Sequence, residues 1–82
     1  MTKNIDIHLE IHIQNSRLKI GEAIKRIREK KGYNQEQLAE IMKVSRTTIS
    51  KIESGKFNCS IDYLSKFSWF LDFEVSIKDN EE

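Results

Sequence analysis

The chain has 82 residues and a mass of 9.7 kDa, room for one domain, since a second would need about 50 residues of its own. An apolar fraction of 38% is low for a self-sufficient core, so self-association is expected, and no run approaches the ~20 apolar residues of a membrane span. The net charge of +1 hides a division: residues 17–56 carry eleven basic and five acidic side chains, the remainder three and eight, which suggests one face for a polyanion.

The N-terminus is too charged for a secretory signal. Asn4 to Ile13 alternates without a break, with Ile5, Ile7, Leu9, Ile11 and Ile13 on one side and Asn4, Asp6, His8, Glu10 and His12 on the other. Period two with β-branched apolar positions predicts a strand over 4–13. After Asn15-Ser16 the period changes. Leu18, Ile20, Ile24 and Ile27 recur at near-helical spacing before Gly32, predicting a helix over about 16–31.

Three short helices are announced by their starts. Asn34 can cap a helix, with Gln37 completing a capping box and Tyr33 and Leu38 the hydrophobic staple. Ser45 repeats the arrangement with Val44 and Ile49, and Ser60 with Cys59 and Leu64. The predicted spans are 35–42, 46–53 and 61–71. Phe73, Val75 and Ile77 then alternate with Glu74, Ser76 and Lys78, predicting a second strand over 73–78. The two strands are expected to pair as a ribbon, which is marginal alone in water and needs its apolar face covered.

Residues 35–53 carry the functional information. Two helices of about two turns are separated by only Lys43-Val44-Ser45, and so short a connection forces the steep crossing of a helix-turn-helix. The second helix then presents Arg46, Thr47, Ser50 and Lys51 outward, none needed by a core. Arg or Lys near the start of an exposed helix suits the major groove, where either can pair with guanine O6 and N7.

With these residues in place, the chain resembles the phage repressor/Cro-type helix-turn-helix regulators, the XRE family. The resemblance covers Ile20 to Leu71 and rests on Ile20-Gly21, Arg28, Gly32, Asn34-Gln35, Leu38-Ala39, Val44-Ser45, Thr48-Ile49-Ser50, Glu53-Ser54-Gly55-Lys56 and Leu64. It implies base contacts from Arg46, Thr47, Ser50 and Lys51. Backbone contacts are implied from Gln35, Asn34, Ser54, Lys56 and Thr48, and an Arg28–Glu53 ion pair between the first and third helices. Neither terminal strand belongs to the family's common helical core. Lys43 departs from the pattern, which usually has Gly there; a left-handed backbone at this position would cost about 1 kcal/mol relative to glycine.

Other residues that invite chemistry are assigned none. His8 and His12 on a strand would lie about 13 Å apart, too far to share one metal ion. Cys59 sits in a staple position suited to a small buried hydrophobe; as the one cysteine it excludes an internal disulfide and fits a reducing compartment. Phe67, Trp69, Phe70 and Phe73 are mostly core, with Trp69 or Phe70 available to a dimer contact. No glycine-rich phosphate loop, metal-spaced Cys/His set or catalytic triad is present, so neither an enzyme nor a cofactor is expected.

The sequence therefore predicts a mainly α, single-domain protein of residues 1–82, a compact four-helix Cro/repressor-like core with an added two-stranded β-ribbon. It is expected to be a cytoplasmic regulator binding double-stranded DNA as a homodimer, most simply a repressor acting by occupancy, with no membrane or small-molecule partner. The ribbon residues Ile5, Ile7, Leu9, Ile11, Ile13, Phe73, Val75 and Ile77 are the expected dimer interface. Two alternatives stand beside this reading: an antitoxin of the HipB kind that also binds a toxin protein, and an interaction module that has lost DNA affinity.

Overall fold

The computed structural model describes residues 3–80, with side chains from residue 6 onward. Four helices follow in order: α1 (Lys3–Lys30), α2 (Gln35–Met42), α3 (Arg46–Glu53) and α4 (Ile61–Leu71). The mainly α helix-turn-helix core agrees with the sequence reading. The β-ribbon is overturned, because no strand occurs among the described residues.

The predicted strand over 4–13 is the first part of α1. Nothing between Lys3 and Ile20 breaks a helix: there is no Pro or Gly, and Leu9, Glu10, Gln14 and Arg17 favour one. Ser16, read as a boundary, instead turns its hydroxyl onto His12 O one turn earlier (3.1 Å), a bond that lets serine sit inside a helix. On a helix the alternation splits into two apolar stripes on opposite sides, Ile7 and Ile11 on one, Leu9 and Ile13 on the other. All four are exposed. The side chain of Ile5 lies outside the described residues. Deprived of a partner, residues 73–78 form no strand: Phe73 rests against the core, Val75 is partly exposed at a groove beside α1, and Ile77 stands in solvent.

At 1.5 Å per residue α1 is about 42 Å long, nearly the full 45 Å length of the molecule. Its second half packs on α3 and α4. The first bond from its N-terminal half to the body is Gln14 Nε2 to Gly55 O (3.3 Å), so the residues before Gln14 form an arm.

The core is Ile24, Leu38, Ala39, Met42, Ile49, Ile52, Phe67 and Leu71, drawn from all four helices. Gly21 lets α1 and α3 touch: a Cβ there would collide with the backbone carbonyls of Ile52 and Glu53. The helix ends are closed in one manner. Tyr33 N donates to Arg28 O, Val44 N to Ala39 O, Lys56 N to Lys51 O and Phe73 N to Ser68 O, each around a left-handed residue: Gly32, Lys43, Gly55 and Asp72. This is the Schellman closure, which satisfies carbonyls a helix leaves unpaired. Lys43 stands at φ 59°, where glycine would be less strained.

Candidate nucleic-acid interface

The site begins with caps. Asn34 Oδ1 accepts from Gln37 N (2.7 Å), and Gln37 Oε1 accepts from Asn34 N (2.8 Å), a reciprocal box that fixes the start of α2. Ser45 Oγ accepts from Thr48 N (3.0 Å) and lies 2.9 Å from Thr48 Oγ1, which fixes the start of α3. Both helices thus present free backbone N–H groups and the positive ends of their dipoles, an environment that favours anions.

Helix α3 divides into a buried and an open face. Ile49, Ile52 and Glu53 are buried, Ser50 and Thr48 half-buried, and Arg46, Thr47 and Lys51 exposed. Glu53 is buried because Arg28 meets it: Arg28 Nε donates to Glu53 Oε2 (2.7 Å) and Nη2 to Oε1 (3.1 Å), with only 5% and 7% of the two residues exposed. Arg28 Nη1 donates to Tyr33 O (2.8 Å), so each of the three guanidinium nitrogens makes a hydrogen bond. The bond to Glu53 raises the Arg28 pKa above its usual value, outweighing the opposing effect of burial. Arg28 is therefore charged throughout the physiological range.

The spare reach of Glu53 holds a third side chain. Gln35 Nε2 donates to Glu53 Oε1 (3.0 Å), so the first residue of α2 is anchored to the last residue of α3. Gln35 lines two shallow recesses. One, of about 460 Å³, also has Arg28, Asn34, Glu36 and Arg46 around it. The other, of about 170 Å³, has Lys25, Ser50, Glu53 and Ser54. Lys25 is a residue to which the sequence reading gave no role. The available signal was its place three residues before Arg28, which puts it on the same flank of α1. Ser54 Oγ donates to Lys51 O (3.2 Å), tying it to its own helix end. Lys56 is exposed at the following turn.

Of the eight residues assigned to a dimer contact, the seven with described side chains are not brought together within the chain: Ile7, Leu9, Ile11 and Ile13 lie along the arm, Phe73 on the core, and Val75 and Ile77 on the open tail. Trp69 is 81% exposed on the outer side of α4, whereas Phe67 is fully buried. His8 and His12, being helical, stand one turn apart rather than 13 Å, but no group of three or more His, Cys, Asp or Glu among the described residues is placed to hold a metal. Burial raises the pKa of the half-buried Cys59 thiol, the opposite of what a reactive cysteine needs. No described helix is long and apolar enough to cross a membrane.

Two short capped helices, joined by a three-residue turn and braced by a third through a buried ion pair, define a helix-turn-helix protein. The family comparison agrees over residues 24–76, and the chain belongs to the helix-turn-helix family. It is 41% identical over 64 residues to the HTH-type transcriptional regulator SinR of Bacillus licheniformis, covering 77% of this chain and 58% of that protein. It is 42% identical over 57 residues to SinR of Bacillus subtilis, 68% of this chain and 51% of the relative. It is likewise 42% identical over 62 residues to the HTH-type transcriptional activator BcrR of Enterococcus faecalis, 76% of this chain but 29% of the relative. The matched region thus spans between about a third and three fifths of these relatives, all transcription regulators rather than enzymes.

Proposed function

We propose that this chain is a sequence-specific, double-stranded DNA-binding transcription regulator that sets α3 into the major groove. The observation that carries the reading is the division of α3: Ile49, Ile52 and Glu53 fasten it to the body while Arg46, Thr47 and Lys51 are left outside. Arg46 and Lys51 pair with guanine edges, and Thr47 offers a methyl to thymine or a hydroxyl to a base. Ser50, half-buried on the same helix, reaches a base only on close approach.

Phosphates flank this contact. Gln35, held in place by Glu53, offers its remaining amide N–H beside the N-terminus of α2. Asn34, Thr48, Ser54, Lys56 and Lys25, which shares a recess with Gln35, complete the proposed backbone set. Such contacts fix register and orientation, while the base-edge contacts of α3 discriminate. Two copies on a two-fold operator, with half-sites about 34 Å apart, would repress in the cytoplasm by occupying a promoter.

A labelled-duplex anisotropy titration at increasing salt tests the reading. Affinity falls steeply as salt rises, with a slope of about −0.9 per phosphate contact. Lys25→Ala and Lys56→Ala each flatten the slope by about one. Arg46→Ala costs about 1–3 kcal/mol of discrimination at one base position. A chain with no affinity for any duplex at low salt contradicts it.

A further inference from the structure

The arm of α1 is half-exposed aliphatic on two opposite sides, and a helix of this length with nothing packed on it is marginal in water. One side continues into the body. Leu9, Ile13, Ser16, Ile20, Ala23 and Ile27 follow one another at spacings of four and three, the signature of a single seam along a helix. The second half of this seam is not closed. Ile20, Ala23 and Ile27 are only half-buried and line an open groove of about 300 Å³ whose far wall is Leu64, Phe73 and Val75. Gly21 and Arg28 mark the line of α1 that faces α3; the seam lies roughly a third of a turn away from it.

We propose that this seam is a contact surface for a second copy of the chain, the two α1 helices lying antiparallel about a two-fold axis level with Leu18. Large then faces small: Ile13 meets the second copy's Ala23, and Ile20 meets its Ser16. Leu9 meets Ile27, and at each end Asp6 comes opposite Lys30, acid on base. A parallel pairing would set Asp6 on Asp6, Lys30 on Lys30 and Ser16 on Ser16. The antiparallel arrangement lays each arm over the open groove of the other copy. Overlap from Asp6 to Lys30 is about 37 Å long, enough for the roughly 800 Å² per partner of a standard stable interface. The opposite stripe, Ile7 and Ile11, stays outside the seam.

The register has an electrostatic consequence. Lys19, exposed beside the axis, approaches its own copy, so added salt screens a repulsion and tightens the dimer. This is the reverse of its effect on DNA affinity.

The inference deepens the homodimer reading above, and its test uses the 82-residue chain without DNA, so that its failure is separate from failure of DNA binding. Sedimentation equilibrium finds wild type dimeric. Ile13→Asp weakens association at least tenfold while Ile11→Asp, on the other stripe, leaves it unchanged; far-UV circular dichroism checks that both keep a folded body. In a Cys59→Ser background, spin labels at Lys19→Cys report a short distance across the axis, and labels at Lys30→Cys one of about 36 Å or more. A dimer indifferent to Ile13→Asp, or a short distance at position 30, overturns this seam and leaves the homodimer standing. A monomeric wild type overturns both.

Discussion

The two halves of α1 are one continuous helix with opposite fates. From Ile20 to Lys30 it fastens Ile24 into the core and Arg28 onto Glu53, whereas from Asp6 to Ile13 it fastens nothing. Both halves carry branched aliphatic residues, Ile7, Leu9, Ile11 and Ile13 in one and Ile20, Ile24 and Ile27 in the other. Apolar content therefore does not decide which part of a helix holds a domain together. The deciding feature is whether the pattern leaves one stripe aimed at other elements or two stripes aimed apart.

Substitutions should separate the halves cleanly. The largest effect is expected from Glu53→Ala, which strands the buried Arg28 and releases Gln35, at a cost of about 3–5 kcal/mol. Glu36→Ala, exposed on α2, stays within about 0.5 kcal/mol. Urea unfolding of the two variants makes the comparison, and equal midpoints would break it. Gly21→Ala comes next, at about 1–3 kcal/mol, because backbone carbonyls rather than flexible side-chain ends block the new methyl. Ile11→Ala in the arm should leave the same transition nearly unmoved.

Two smaller effects sharpen the account of the turns. Lys43→Gly should stabilise the chain by up to about 1 kcal/mol, since φ 59° strains a side chain there, offset in part by the freedom glycine adds to the unfolded chain. Thermal unfolding followed by circular dichroism reads it. The smallest effect concerns Cys59. Its folded pKa lies above the ordinary 9.0 because burial disfavours the thiolate, so the folded state holds its proton longer than the unfolded one. Stability from this source is complete below about pH 9 and declines as pH rises beyond it. Cys59→Ala should flatten that decline in unfolding curves collected across the range.

What could be read from the residues followed how local the information was. The starts of α2, α3 and α4 depend on Asn34, Ser45 and Ser60, whose side chains bond backbone groups only three residues away, and such contacts are visible in sequence. The ion pair of Arg28 and Glu53, 25 residues apart, was reached through the family resemblance. The arm was misread because alternation has two meanings. It makes one apolar face on a strand and two on a helix, and only the presence of a partner strand chooses between them. The run from Lys3 to Ile20, without Pro or Gly, settled as helix and left residues 73–78 without a partner strand. Lys25, proposed above for the backbone set, carries little signal in the sequence because its neighbours Gln35, Ser50 and Ser54 come from other elements.

The central claim is that the open face of α3 reads bases. Selection of bound duplexes from a random pool tests it most directly, with the wild-type chain and the double variant Arg46→Ala, Lys51→Ala run side by side. The account predicts that wild type enriches a two-fold motif with half-sites about one duplex turn, ~34 Å, apart, and that the variant enriches none. A wild-type pool without any preferred sequence, or the same motif recovered with both proteins, would contradict it.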